Sequence, residues 1–284
     1  MSRYINPYTD FGFKRLFGEE ANKDLLIDFL NALLPEKHRV KTLTFRNLEQ
    51  LGIIVADRKA IYDIYCTAEN GEHFIVEMQK EEEHYFKDRA IFYSAFPIRN
   101  QGKKGKKWNY ELKAVYFIGI LDFEYDEEEE RRKLQRNVQL KDQDGDLFYD
   151  KLELIFLQMP LFTKTESELE TQKDKWYYFL KNLTDFEQIP AILREPIFEQ
   201  AFETAELAQM NQNELLQYEA SLKIYRDNYA AFETAIMKGE KKGWAKGEAQ
   251  KAIEIARNMK QTGLDSALIA EMTGLTLKEI KRLK

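Results

Sequence analysis

Ile61-Tyr62-Asp63-Ile64-Tyr65-Cys66 and His73-Phe74-Ile75-Val76-Glu77-Met78-Gln79 are two short runs of mostly β-branched and aromatic residues, a composition that favours strands. The segment between them, Thr67-Ala68-Glu69-Asn70-Gly71-Glu72, carries an Asn-Gly pair, a strong local signal for a hairpin. Side chains alternate faces along a strand, so Glu77 and Gln79 share one side while Phe74, Val76 and Met78 share the other. Pairing across the hairpin brings Asp63 beside them. Two carboxylates and an amide then converge at the edge of an otherwise apolar sheet, the layout of a hard divalent-metal site such as one for Mg²⁺. The chemistry it suggests is metal-assisted hydrolysis of a phosphodiester. The alternative is a hairpin whose polar residues simply face water.

The tripeptide Glu-x-Gln is uninformative alone, because it recurs at Glu170-Thr171-Gln172 and Glu248-Ala249-Gln250. Its flanks separate the first copy from the others. Upstream stand Asp10-Phe11-Gly12-Phe13-Lys14-Arg15-Leu16-Phe17-Gly18 and Asn22-Lys23-Asp24-Leu25-Leu26-Ile27-Asp28-Phe29-Leu30-Asn31-Ala32-Leu33-Leu34. Then come Arg58-Lys59, Asp63, Glu77-Met78-Gln79, Arg89, Tyr93 and Gln101, and finally Leu112-Lys113-Ala114-Val115-Tyr116-Phe117-Ile118-Gly119-Ile120-Leu121. On these residues the chain resembles a bacterial family, the PD-(D/E)XK nuclease family transposases, also called recombination-promoting nucleases or Rpn. The resemblance is most specific over residues 6–122 and looser to about 185.

The resemblance implies an α/β fold with a restriction-endonuclease-like core, a mixed central sheet flanked by helices. It implies Mg²⁺-dependent endonucleolytic cleavage of DNA, with Mn²⁺ as a substitute ion, and a link to mobile elements or recombination. Matched by motif, Asp63 and Glu77 are the metal-binding carboxylates, and Gln79 stands where many such enzymes carry a lysine. A lysine there polarises the attacking water and offsets negative charge in the transition state. A neutral amide can orient the water but supplies no charge. Lys14 on the first helix and Lys59 ahead of the Asp63 strand are candidates for the missing cation; each reads equally as a solvated surface lysine. The neutral Gln79 keeps a second class open, a catalytically weak DNA-binding or regulatory protein that retains the fold.

Composition supports a packed, well-solvated globule: 44% hydrophobic, 13% aromatic and 32% charged over 284 residues. The longest apolar run, Ala114–Leu121, is far too short to span a membrane, and the N-terminus lacks the apolar stretch of a signal peptide. Cys66 stands alone, which excludes an intrachain disulfide and makes a reducing cytoplasm the expected setting. His38, His73 and His84 show no zinc-binding spacing. A formal net charge of −6 argues against whole-surface DNA binding, so DNA contact must come from local basic patches.

Along the chain, Asn22–Leu34 reads as a helix closed by Pro35, and Val40–Val55 and Ile61–Gln79 read as strands. Glu83–Phe96 reads as a helix that Pro97 ends or kinks. It sets Arg89 and Tyr93 on one face, either bordering the active site as DNA contacts or merely stacked on each other. Lys103, Lys104, Lys106 and Lys107 form a loop suited to phosphate contact or to solvent. Leu112–Leu121 is a buried central strand. The run Asp126–Glu130 is a solvated turn or edge that repels DNA. Asn137–Leu140 and Lys151–Gln158 are further strands, and Glu166–Leu183 is a covering helix.

Beyond about residue 186 the sequence turns helical, at Ile192–Met210 and Asn213–Met237. Gly239, Gly243 and Gly247 recur beside lysines and read as a hinge or a weak self-association helix. Ile253–Thr262, Asp265–Thr273 and a third helix opened by the capping box Thr276-Leu277-Lys278-Glu279 resemble a helix-turn-helix. Lys and Arg outnumber Asp and Glu ten to six over residues 240–284. Lys278, Lys281 and Arg282 are its candidate DNA contacts; a protein-contact or dimerisation module, giving a homo-oligomer through these helices, is the other reading. The expected domains are 1–185 nuclease-like, 186–238 a helical extension, and 239–284 the C-terminal helix and helix-turn-helix-like segment.

Overall fold

A computed structural model describes residues 2–50, 60–80, 85–102, 109–125 and 132–283. The chain opens with α1 (Asp10–Phe17), capped by the Thr9 hydroxyl, which accepts the Gly12 N–H at 3.0 Å. Gly12 is required here, since a Cβ would sit 2.2 Å from the Asn6 carbonyl oxygen. Helix α2 (Lys23–Leu33) stops with Leu34 extended ahead of Pro35, as the clash with a following proline ring dictates. Of the strand expected over 40–55, the described residues form β1 (Leu43–Phe45) and β2 (Glu49–Gln50); residues 51–55 lie outside them. β2 pairs with β3 (Ala60–Ile61) in a separate two-stranded sheet.

The expected hairpin forms between β4 (Ile64–Ala68) and β5 (His73–Gln79), with Ile64 opposite Val76 and Thr67 opposite His73. Gly71 closes the turn at φ +87°, a conformation that side chains disfavour. Helix α3 (Phe86–Asn100) then crosses to β6 (Val115–Leu121), which pairs parallel with β5. β7 (Gln135–Lys141) and β8 (Leu147–Gln158) form an antiparallel pair whose β8 lies parallel to β6. The six-stranded sheet runs β1-β4-β5-β6-β8-β7. The middle of the sheet carries the buried apolar β6, as its unbroken hydrophobic run requires.

Alternation sends Phe74, Val76, Met78, Tyr116, Ile118 and Ile120 to one face and Ile75, Phe117 and Leu121 to the other. The first face packs under α1, α2, α4 (Gln172–Asn182) and α5 (Pro196–Ala205). Both later helices are shorter than expected. Glu166–Glu168 forms only a 3₁₀ turn and Thr171 caps α4 afresh; Pro196 at the first position fixes where α5 begins. The second face packs under Phe86, Ala90 and Phe96 of α3.

Pro97 neither ends α3 nor stops it short: the helix runs on to Asn100. The missing proline N–H leaves the carbonyl four residues back, that of Tyr93, without its helical partner. The Tyr62 hydroxyl supplies one, donating to Tyr93 O at 3.0 Å.

Helix α6 (Gln212–Gln261) runs unbroken through Gly239, Gly243 and Gly247. Three glycines lower helix propensity by roughly 1 kcal/mol each, which fifty residues of intrahelical bonding absorb. The chain divides into two compact units, Met1–Tyr225 and Arg226–Lys284. In the first unit the opening turns of α6 hold the N-terminal segment. Tyr218 and Ser221 accept the Asn6 and Phe11 N–H groups at 3.0 and 3.2 Å, and Glu214 pairs with Arg15. The second unit buries Ala256, Ile269 and Ile280 between the end of α6, α7 (Ser266–Thr273) and α8 (Leu277–Arg282). Among the described residues no helix is long and apolar enough to cross a membrane.

Two expected outcomes follow from this packing. Tyr62→Phe should cost about 1–3 kcal/mol by leaving the part-buried Tyr93 carbonyl without this donor. In a Pro97→Ala background, where a backbone N–H is restored to Tyr93 O, it should cost far less; a double-mutant cycle by denaturant unfolding checks the difference. Asp122 follows β6, and its Oδ2 accepts the Tyr225 hydroxyl at 3.2 Å. Burial pushes its carboxyl from 3.8 up to about 6. An acid whose folded pKa is raised contributes stability fully below its unfolded pKa and loses that contribution as pH rises through about 6. Asp122→Asn should therefore gain about 2–3 kcal/mol over the parent near pH 7.5 and nothing near pH 4, as read by unfolding at both.

Candidate active site

Two bonds between backbone and side chain set Asp63, one residue before β4, beside Glu77 of β5. The Asp63 N–H donates to Glu77 Oε1 at 3.0 Å, and the Met78 N–H donates to Asp63 Oδ2 at 2.8 Å. Each carboxylate is thus tied to the backbone of the other's strand. Glu77 is 3% exposed and Gln79 7%, on the same face of β5 as Ile75 and beneath α3. A hairpin with its polar side chains in water is therefore excluded for these residues.

Burial raises the Glu77 carboxyl well above the ordinary carboxylate range, and the neighbouring Asp63 charge adds to it. Burial also raises Asp63, opposed by the Met78 N–H and by Lys14. The pair lacks a charge between its two acids. A dication fits that deficit: the donors are hard carboxylate oxygens, and Asp63 Oδ1 and Glu77 Oε2 do not carry the two strand bonds. Among the described residues no group of three His, Cys, Asp or Glu side chains could hold a metal ion. Mg²⁺ is commonly bound this way, by one or two carboxylates with water and phosphate oxygens completing its shell.

Three further side chains line the pair. Gln79 Nε2 lies 3.4 Å from Glu77 Oε2, and Gln79 Oε1 accepts a hydrogen bond from Arg89 Nη2. Arg89 lies over the Tyr93 ring, 5.7 Å from its centroid. Tyr93 packs edge-on against Tyr62 at 5.4 Å. Both expected DNA contacts of α3 therefore lie in the wall of the site, one bonded to the motif residue and one packed behind it. Lys14 is close enough for its charge to act on both carboxylates, while its ammonium pairs with Asp10 at 2.7 Å. Lys59, Lys103, Lys104, Lys106 and Lys107 lie outside the described residues. The sequence reading assigned no role to Asp10 or Tyr62. The i, i+4 spacing of Asp10 and Lys14 was a legible signal; no local pattern pointed to Tyr62.

The second unit displays Lys278, Lys281 and Arg282 as exposed residues of α8. Thr276 and Glu279 form the expected capping box, and Lys260 Nζ donates to the carbonyls of Ile280 and Leu283 at the far end. A six-residue helix is thus secured at both ends by side chains.

The family described as PD-(D/E)XK nuclease family transposase matches residues 7–235. The Rpn/YhgA-like nuclease family C-terminal HTH domain matches residues 249–284. No curated protein and no solved structure matches the chain. A nuclease-family domain joined to a helix-turn-helix domain implies DNA binding, and nucleases of this kind typically use a divalent metal. With the match covering most of its length, the chain belongs to the PD-(D/E)XK nuclease family transposases.

Proposed function

We propose that this chain is a Mg²⁺-dependent DNA endonuclease that hydrolyses phosphodiester bonds, with Mn²⁺ able to replace Mg²⁺. The observation carrying this reading is the pairing of part-buried Asp63 with buried Glu77, whose carboxylates are each held by a backbone N–H although like charge separates them. Such an arrangement costs stability unless a cation occupies it. Asp63 and Glu77 are the metal ligands in this reading. The ion, when bound, supplies Lewis acidity at a phosphoryl oxygen and a more acidic water. Gln79 orients polar groups over Glu77. Lys14, tied to Asp10, adds positive potential at the rim, and Lys59 keeps the candidate role given by its place ahead of Asp63. Residues 1–185 form the catalytic domain, 186–238 its helical extension and 239–284 the DNA-reading segment. Lys278, Lys281 and Arg282, with the lysines at 103, 104, 106 and 107, contact phosphates. The second reading, a weakly active or inactive DNA-binding regulator, is favoured by Gln79, whose amide brings no charge of its own.

Incubating the full chain with supercoiled plasmid, with and without Mg²⁺ or Mn²⁺, separates the two: metal-dependent nicking supports the enzyme, and intact plasmid the regulator. Asp63→Asn and Glu77→Gln should abolish nicking while DNA affinity persists; either variant nicking at the parental rate contradicts the assignment. The raised pKa of Glu77 means its carboxyl stabilises the fold when protonated at low pH, and that contribution is lost as pH rises through the folded value. Without metal near neutral pH, Glu77→Gln should therefore melt above the parent. Added Mn²⁺ should stabilise the parent by about 2.7 kcal/mol at a hundred times its Kd and leave Glu77→Gln unmoved.

For the second unit, replacing Lys278, Lys281 and Arg282 together by glutamine should lower affinity for all DNA sequences alike. It should also flatten the slope of log K against log salt by roughly 0.9 per lost phosphate contact. Fluorescence anisotropy across a salt series measures this, and an unaltered slope excludes these side chains as phosphate contacts.

A further inference from the structure

We infer that Arg89 provides the fixed positive charge of the carboxylate site, and that Gln79 is the residue that positions it. The arginine of α3 then does what a lysine on β5 would do. This rests on the metal-dependent reading above. An amide can join a donor to an acceptor. Arg89 has donors and no acceptor, whereas an ionised Glu77 has acceptors and no donor. Gln79 stands between them, with Oε1 accepting from Arg89 Nη2 and Nε2 3.4 Å from Glu77 Oε2. Only one orientation of the amide satisfies both neighbours, so chemistry sets it. A lysine at position 79 would place ammonium against guanidinium, and a glutamate would place carboxylate against Glu77. Glutamine spans the gap without either repulsion.

The remaining geometry agrees. Arg89 leaves α3 over the Tyr93 ring, which restricts its plane, and Tyr93 is backed by Tyr62. Tyr62 also holds the Tyr93 carbonyl that Pro97 leaves open. The arginine is thus anchored by a helix turn that has its own supports. Its charge acts on both carboxylates, outweighing that of Lys14 at Glu77 and falling below it at Asp63. Lys14 is already bonded to Asp10, whose negative charge opposes it at Asp63. A guanidinium offers donors and no acceptor, so Arg89 is no general base. Its contribution is electrostatic, a preorganised donor for charge developing on phosphoryl oxygens.

The test moves the charge. Full-length parent, Arg89→Ala, Gln79→Lys and the double variant Arg89→Ala/Gln79→Lys are compared by Mn²⁺-binding calorimetry and by plasmid nicking. Removing a cation beside the metal ligands should tighten Mn²⁺ binding in Arg89→Ala several-fold and slow nicking by roughly 10²–10³-fold. Gln79→Lys alone, with two cations adjacent, should bind Mn²⁺ more weakly than the parent. The double variant should return Mn²⁺ affinity to near the parental value and recover at least about a tenfold part of the lost rate. If circular dichroism shows Arg89→Ala unfolded, Arg89→Gln replaces it, keeping donors to Gln79 without charge. Mn²⁺ affinity unchanged by loss of the arginine overturns the inference, as does a double variant matching Arg89→Ala in both measurements. Affinities that respond as expected in a parent that nicks nothing uphold the placement of Arg89 and overturn the endonuclease reading. A parent that binds no Mn²⁺ overturns both.

Discussion

Two carboxylates that repel each other are locked in place by the backbone of neighbouring strands. Asp63 accepts the Met78 N–H and Glu77 accepts the Asp63 N–H, so neither acid can swing away without breaking a strand-end bond. They sit just beyond the last pair of the β4–β5 register, Ile64 with Val76. Everything that fixes that register also fixes the acids: the turn at Gly71, the apolar alternation of β5, and the parallel bond of β5 to β6 from His73 to Gln79. Burial beneath α3 then raises the cost of the charges and concentrates their field.

Helix α3 reconciles two demands. Its Phe86, Ala90 and Phe96 seal one apolar face of the sheet, while the turn holding Arg89 and Tyr93 faces the polar end of β5. A proline inside the helix would ordinarily be a defect. Here the carbonyl it exposes becomes the anchor for Tyr62, one residue before Asp63. The loss of one helical bond thereby couples α3 to the segment that carries the first carboxylate. Stability and site geometry share the same atoms, and substitutions at Tyr62 or Pro97 act on both.

The long helix α6 belongs to both compact units. Its first turns are built into the nuclease unit through Tyr218, Ser221 and Tyr225. Its last turns supply Ala256 and Lys260 to the helix-turn-helix. The small second core of Ala256, Ile269 and Ile280 is enough because capping interactions hold the six-residue α8 in place.

Much of this was legible in local sequence. Strand composition, the Asn-Gly turn and period-two alternation identified the hairpin and the face bearing Glu77 and Gln79. The apolar run to Leu121 identified the central strand, and Thr276 with Glu279 identified the last capping box. Family resemblance, through residues around Gly12 and Asp63, added the nuclease fold. Gly12 itself could be seen in the sequence, but its reason, a carbonyl where a Cβ would be, could not. Tertiary structure alone decided the continuation of α3 past Pro97, because the rescuing hydroxyl comes from a residue 35 positions earlier. The unbroken run of α6 through three glycines was not legible either, since helix propensity sets a cost and not an endpoint. Tertiary structure alone joined Arg89 to Gln79. Spacing along a helix reveals which side chains share a face, but which strand that face meets depends on how the crossover packs, and packing is a property of the whole chain.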